Sequence, residues 1–144
     1  MRILVSACLL GCSCRYDGKS KPCEQIISLA SRHCLIPVCP EQLGGLATPR
    51  PPAEIMGKRV INNQGHDVTQ AYEKGAMEAL HLYDTLNCDL AILKSRSPSC
   101  GSGQVYDGSF SGTLREGDGI TAALLQSRGI PLLTEEQEAE LSQL

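Results

Sequence analysis

Residues 90–103 read LAILKSRSPSCGSG, and this stretch decides the fold. Leu90, Ala91, Ile92 and Leu93 form the continuous apolar run of a short strand buried on both faces. Lys94 ends the run, and a loop of Ser, Pro and Gly follows with Cys100 set inside it. In an open α/β sheet, ligands bind in the crevice outside the carboxyl ends of the strands, so a cysteine just past such an end is well placed for chemistry.

Outward from this stretch, other segments take the same form. Ile3–Cys8 (ILVSAC) predicts a first strand that turns out through Leu9, Leu10 and Gly11. Leu35–Cys39 (LIPVC) predicts a second, and its Pro37 restricts it to an edge or irregular position. Ile130–Leu133 is the fourth. Helical spacing fills the gaps. Pro22 to about His33 starts with Pro and has Ile26, Ile27 and Ala30 on one face. Val68 to about Leu86 repeats Tyr72, Ala76, Ala79 and Tyr83 at three- or four-residue steps, with Asp67 or Thr69 as N-cap. Thr121–Arg128 is stopped by Gly129, and Thr134 with Gln137 forms a capping box that opens a last helix. Ser13–Lys21 is a polar loop, and Pro40–Asp67 is irregular except for a short extended piece at Arg59–Asn62. The alternation βα, four times over, specifies an α/β fold: residues 1–144 as a single Rossmann-like domain, with a mostly parallel sheet and helices on both faces.

Composition narrows the class of function. The 42% of hydrophobic residues in 144 supplies a real core. A net charge of −3 without runs of Lys or Arg argues against a long nucleic-acid partner and leaves a small anionic or neutral ligand. Four Tyr, one Phe and no Trp are too few for a platform that stacks single strands. No window approaches the roughly 20 apolar residues of a membrane span, and Met1–Leu10 is too short for a secretory signal. The expected location is therefore the cytoplasm, where eight cysteines stay reduced and point to metal binding or catalysis.

In a parallel sheet the loops after strands one, two and three open on one edge, and these loops hold Cys8, Cys39 and Cys100. Soft thiolates select zinc, copper(I) or iron–sulfur clusters. Three thiolates leave the fourth iron of a cubane without a protein ligand, and an open position marks a catalytic centre. The residues alone leave three other readings open: zinc held by the same thiols in a binding or structural protein, a metal-free enzyme with Cys100 as nucleophile, and cysteines that simply pack as small hydrophobes.

Seven blocks run in one order: Ser6-Ala-Cys-Leu-Leu-Gly11, Arg15-Tyr-Asp-Gly18, Val38-Cys-Pro-Glu41, Gly44-Gly45 with Thr48-Pro49-Arg50, Gly65-His-Asp-Val-Thr69, Ser97-Pro-Ser-Cys-Gly101 and Tyr106-Asp-Gly108. Together they resemble the thiouracil desulfurase (TudS-like) family across essentially the whole chain. The resemblance implies a [4Fe–4S] cluster on Cys8, Cys39 and Cys100, with Glu41 as general base and acid and Ser97 positioning water or substrate. It implies a thiolated pyrimidine as small-molecule partner, of 2-thiouracil, 4-thiouracil or thiouridine type. The thiocarbonyl sulfur meets the open iron, water adds at the ring carbon, and sulfide leaves without any electron source. Cys12-Ser13-Cys14 departs from the usual block and leaves either thiol as a spare near the cluster. Cys23, Cys34 and Cys88 are expected to pack. Lys94, Arg50 and Arg15 are expected on a solvated surface or facing an anion, and Asp17 and Asp107 in plain turns.

Overall fold

The computed structural model describes residues 1–144. In chain order its first half contains β1 (Arg2–Ser6), α1 (Glu24–Ser28), β2 (Cys34–Val38), α2 (Pro40–Leu43), β3 (Ala53–Met56), β4 (Arg59–Asn62) and α3 (Thr69–Thr85). Then follow β5 (Leu90–Leu93), β6 (Gln104–Tyr106), β7 (Leu114–Glu116), α4 (Ile120–Ser127), β8 (Leu132–Thr134) and α5 (Glu138–Leu141). The four apolar strands form one parallel sheet in the order β2-β1-β5-β8, with β2 carrying Pro37 at an edge. No helix is long and apolar enough to cross a membrane.

Strand period sorts the core into two layers. Ile3, Val5, Leu90 and Ile92 face one side, where Ile26 and Leu29 of the α1 region and Leu141 of α5 cover them. Leu4, Ala91 and Leu93 face the other, against Ala79, Leu80 and Tyr83 of α3 and Ala122 and Leu125 of α4. Helices thus cover both faces, as the near-continuous apolar runs require.

Four local expectations need correction. The first helix is five residues, not twelve: it starts at Glu24 and gives way to a 3-10 turn at Leu29–Ser31. Ser28 and Ser31 there turn their hydroxyls back onto the carbonyls of Gln25 and Ser28, a local bonding that competes with the helical ladder. The capping-box contact forms, with the Thr134 amide donating to Gln137 Oε1 at 2.9 Å, yet it closes a turn and α5 begins only at Glu138. Val68 is the N-cap of α3, and Asp67 acts one residue earlier by accepting the Thr69 amide at 2.9 Å. Pro40–Asp67 is not irregular: it holds α2 and the β3–β4 hairpin, and a second hairpin, β6–β7, follows the Cys100 loop.

Two packing devices fix the sheet's carboxyl edge. The first is a bare-backbone contact between α2 and α3. A Cβ on Gly44 would lie 1.9 Å from the Ala71 carbonyl oxygen, and one on Gly75 would lie 1.8 Å from that of Pro40. Neither helix can carry a side chain where they meet. The second is the loop of Cys100 on α4, which has no side-chain cap. Its amides at Ile120, Thr121 and Ala122 donate instead to the carbonyls of Pro98 and Ser99, at 2.9, 2.8 and 3.2 Å. The loop satisfies donors that a helix start leaves orphaned.

A methyl group at Gly75 must therefore push α2 off α3. We expect Gly75→Ala to cost about 1–3 kcal/mol, the range of an overpacked core, although alanine is the better helix former. Urea unfolding followed by circular dichroism measures this, with exposed Met77→Ala on the same helix as the control.

Candidate active site

The strand order reverses between β1 and β5, and a parallel sheet binds ligands at such a switch point. Cys8 follows β1 in a 3-10 turn, Cys39 is the N-cap of α2 directly after β2, and Cys100 sits in the loop after β5. All three line one cavity of about 640 Å³, together with Glu41 and Ser97. The structure brings together every residue singled out by the sequence blocks as ligand or catalyst.

Cys14 joins them and Cys12 does not. Cys14 is buried in the cavity wall, whereas Cys12 is exposed. The Cys39 thiol donates to the Cys14 carbonyl with sulfur and oxygen 3.7 Å apart. Burial and neighbouring groups raise the Cys39 and Cys100 thiols above the ordinary range. Burial pushes Cys100 up to about 12, with Glu41 and Cys39 adding to the effect. The neighbouring Cys14 thiol, then burial, raises Cys39 far above the ordinary thiol range. A metal-free nucleophile needs the opposite, a depressed thiol.

Glu41 is held rather than solvated. Its Oε1 accepts the Tyr72 hydroxyl at 2.6 Å and Arg50 Nε at 3.2 Å, while Oε2 takes no protein donor. The Arg50 side chain is 5% exposed and paired with the Glu41 carboxylate, whereas a solvated surface or an anionic ligand was expected for it. Its remaining nitrogens donate to the Cys14 carbonyl at 2.9 Å, to Thr48 Oγ1 at 2.9 Å and to the Ala47 carbonyl at 3.1 Å. Burial, then the Glu41 charge, lifts Tyr72 above the usual phenol range, so it remains a hydrogen-bond donor. Ser97 Oγ accepts the amides of Ser99 at 3.1 Å and Cys100 at 3.0 Å. It is thus a turn residue as well as a cavity residue, and its own proton stays free to donate.

Other expected roles divide. Asp17 and Asp107 close turns by accepting the amides of Lys19 and Ser109. Cys88 is buried, Cys23 is half-buried, and Cys34 is exposed because edge strand β2 leaves that end uncovered. Lys94 lines the cavity but is committed to Glu135 at 2.5 Å.

Three comparisons bear on what this arrangement serves. The model of the 2-thiouracil desulfurase family matches residues 3–137. This chain belongs to the 2-thiouracil desulfurase family. Membership makes it an enzyme. A solved structure of a [4Fe–4S]-dependent thiouracil desulfidase, TudS, superposes with a TM-score of 0.92 at 45% identity, covering 98% of this chain and 95% of that one. Uncharacterized protein YbbK of Bacillus subtilis (strain 168) is 42% identical over 145 residues, 94% of this chain and 96% of its own length.

Sequence reasoning missed the holders of Glu41. Tyr72 was legible only as part of an apolar stripe, and nothing local joins it to a carboxylate 31 residues away. Arg50 carried a signal, its place in a Thr-Pro-Arg block nine residues after Glu41, but not its direction.

Glu135 offers a pH test of how the cavity wall is held. Burial works to raise its carboxyl, yet bonds from Lys94 and Ser95 outweigh this and hold it below the usual 4.5. A depressed carboxylate stabilises the fold above its unfolded value and loses that contribution as pH falls through its folded value. We expect Glu135→Gln, which leaves Lys94 unpaired, to cost about 2 kcal/mol at pH 7, less than a fully buried pair. Melting curves of the two proteins should converge as pH is lowered below 4.5.

Proposed function

We propose that this enzyme converts a thiolated pyrimidine, of 2-thiouracil, 4-thiouracil or thiouridine type, into the oxo-pyrimidine with release of sulfide and no net electron transfer. It does so with a [4Fe–4S] cluster held by Cys8, Cys39 and Cys100. One observation carries the reading: thiols from three separate loops, a held carboxylate and a hydroxyl share one cavity. The membership and the similarity to TudS given above support the cofactor.

The donor set fits the group. Thiolates are the ligands that iron–sulfur clusters select. Three such thiols, from three separate loops, line one cavity large enough for a multi-atom group. When bound, the cluster supplies a Lewis-acidic, sulfur-seeking iron with an open position.

The chain's residues do the proton work. The Oε2 of Glu41 takes a proton from the water that adds to the ring carbon and returns it to the departing sulfur. Atoms balance as thiocarbonyl plus water giving carbonyl plus hydrogen sulfide. Arg50 and Tyr72 fix the carboxylate through Oε1, so its other oxygen keeps one orientation. Ser97 donates its free proton to substrate or water, and its two amide bonds hold it beside Cys100. All eight cysteines are free thiols, in keeping with a reducing compartment such as the cytoplasm.

Iron and acid-labile sulfide, measured on protein reconstituted without oxygen, should each approach about four per chain. Cys100→Ala should lose both, together with turnover. Glu41→Gln should keep the cluster's visible absorption and lose about 10²–10⁴-fold in kcat for 2-thiouracil or 4-thiouracil. Zinc as the only bound metal overturns the reading. Wild-type turnover by Glu41→Gln removes Glu41 as the base.

A further inference from the structure

Phe110 is the one phenylalanine of the chain, and it lines the cavity while 40% exposed. It lies in the connection between β6 and β7 with φ +56°, a left-handed backbone that bulky side chains rarely adopt. The surroundings impose this conformation from outside the connection. Glu54 on β3 accepts the amides of both Gly108 and Phe110 on one oxygen, at 3.0 and 3.2 Å. Gly108 passes so close to β3 that a Cβ there would lie 2.9 Å from the Ile55 carbonyl oxygen. Within the connection, Asp107, Ser109, Ser111 and Thr113 are joined through their side-chain oxygens.

Core packing does not account for this. A ring that lines a cavity on a strained backbone, anchored from a second hairpin, is a feature of binding sites. The other exposed aromatic ring at the cavity, Tyr16 at 41%, is engaged by a cation, and the remaining two are buried or half-buried. Tyr72 is buried and bonded to Glu41, the Tyr16 ring carries the Arg15 guanidinium 5.8 Å from its centroid, and Tyr106 is half-buried within β6.

We infer that Phe110 is the platform on which the substrate's pyrimidine ring stacks, and that Glu54 positions it. The inference rests on the function proposed above and adds what selects the substrate. An aromatic face rewards a planar heteroaromatic ring of any substitution pattern. It gives nothing to an acyclic thioamide such as thiourea, so Phe110 discriminates by ring rather than by sulfur.

The test uses cluster-loaded enzyme with Phe110→Tyr, Phe110→Leu and Glu54→Ala, each checked for wild-type iron content. KM and kcat are measured with 2-thiouracil and 4-thiouracil, and the dissociation constant of the product uracil by calorimetry. Phe110→Leu should raise KM and the uracil dissociation constant about 5- to 50-fold, with kcat nearly unchanged. Phe110→Tyr should stay near wild type, and Glu54→Ala should shift both constants in the direction of Phe110→Leu by a smaller factor. Wild-type KM and uracil binding in Phe110→Leu overturn the inference, as does a loss confined to kcat. A wild-type enzyme that carries the cluster and turns over no thiopyrimidine overturns the proposed function instead, so the two failures are separate.

Discussion

The site depends on the contact of two glycines. α2 is only four residues long and too short to hold itself by its own ladder. It nevertheless carries Glu41 and takes Cys39 as its N-cap. Its position is set by α3, and the approach is close enough only because Gly44 and Gly75 present backbone to backbone. At that separation the Tyr72 hydroxyl, three residues before Gly75, reaches the Glu41 carboxylate. A steric constraint with no charge in it thereby decides the geometry of the site's central acid. Arg50 adds a cross-link: one guanidinium binds Glu41, the carbonyl of Cys14 and the Thr48 turn, so three segments meet on one side chain.

The opposite wall uses a different economy of structure. α4 starts without a capping side chain, and the Cys100 loop lacks regular structure that would satisfy its own carbonyls. Each supplies what the other lacks, with the buried pair Ser99 and Thr121 adding a hydroxyl bond at 2.7 Å. The Ser6 hydroxyl accepts the Lys94 amide at 2.9 Å and joins the ends of β1 and β5 directly beneath the cavity. The loops around the switch point are thus fixed by backbone bonding to regular elements, which is what a preorganised site requires.

What was legible in the sequence followed from locality. The four sheet strands could be read because each is a short apolar run bounded by turn residues, and β4 matched its extended piece residue for residue. The convergence of Cys8, Cys39 and Cys100 followed from parallel topology alone, since all three stand after strand ends. The two hairpins as pairs were not legible: β3, β6 and β7 are three or four residues long and were not foreseen, and pairing is decided by partners rather than by pattern. Glu41 was visible only through the family resemblance of the Val38-Cys-Pro-Glu41 block, and its holders lie 9 and 31 residues away. Cys12 and Cys14 look alike in sequence. They part because the chain turns between them, putting one in the wall and the other in water.

The glutamates around the cavity show why Glu41 stands apart. Glu135 has both oxygens engaged, one by Lys94 and the Ser95 hydroxyl, the other by the Ser95 amide. Glu54 spends its contact on two amides of the β6–β7 connection and has no cation beside it. Glu41 alone is bonded by a cation and a phenol through one oxygen, next to three thiols, with its second oxygen open. Arg50 and Lys94 are each matched to one carboxylate, so the floor of the cavity compensates its own charge. Arg15 and Lys21 also line the cavity and pair with no carboxylate. In the role proposed for Glu41, a carboxylate oriented this way would accept a proton without having to reorganise, because Arg50 and Tyr72 stay on Oε1 while Oε2 is open.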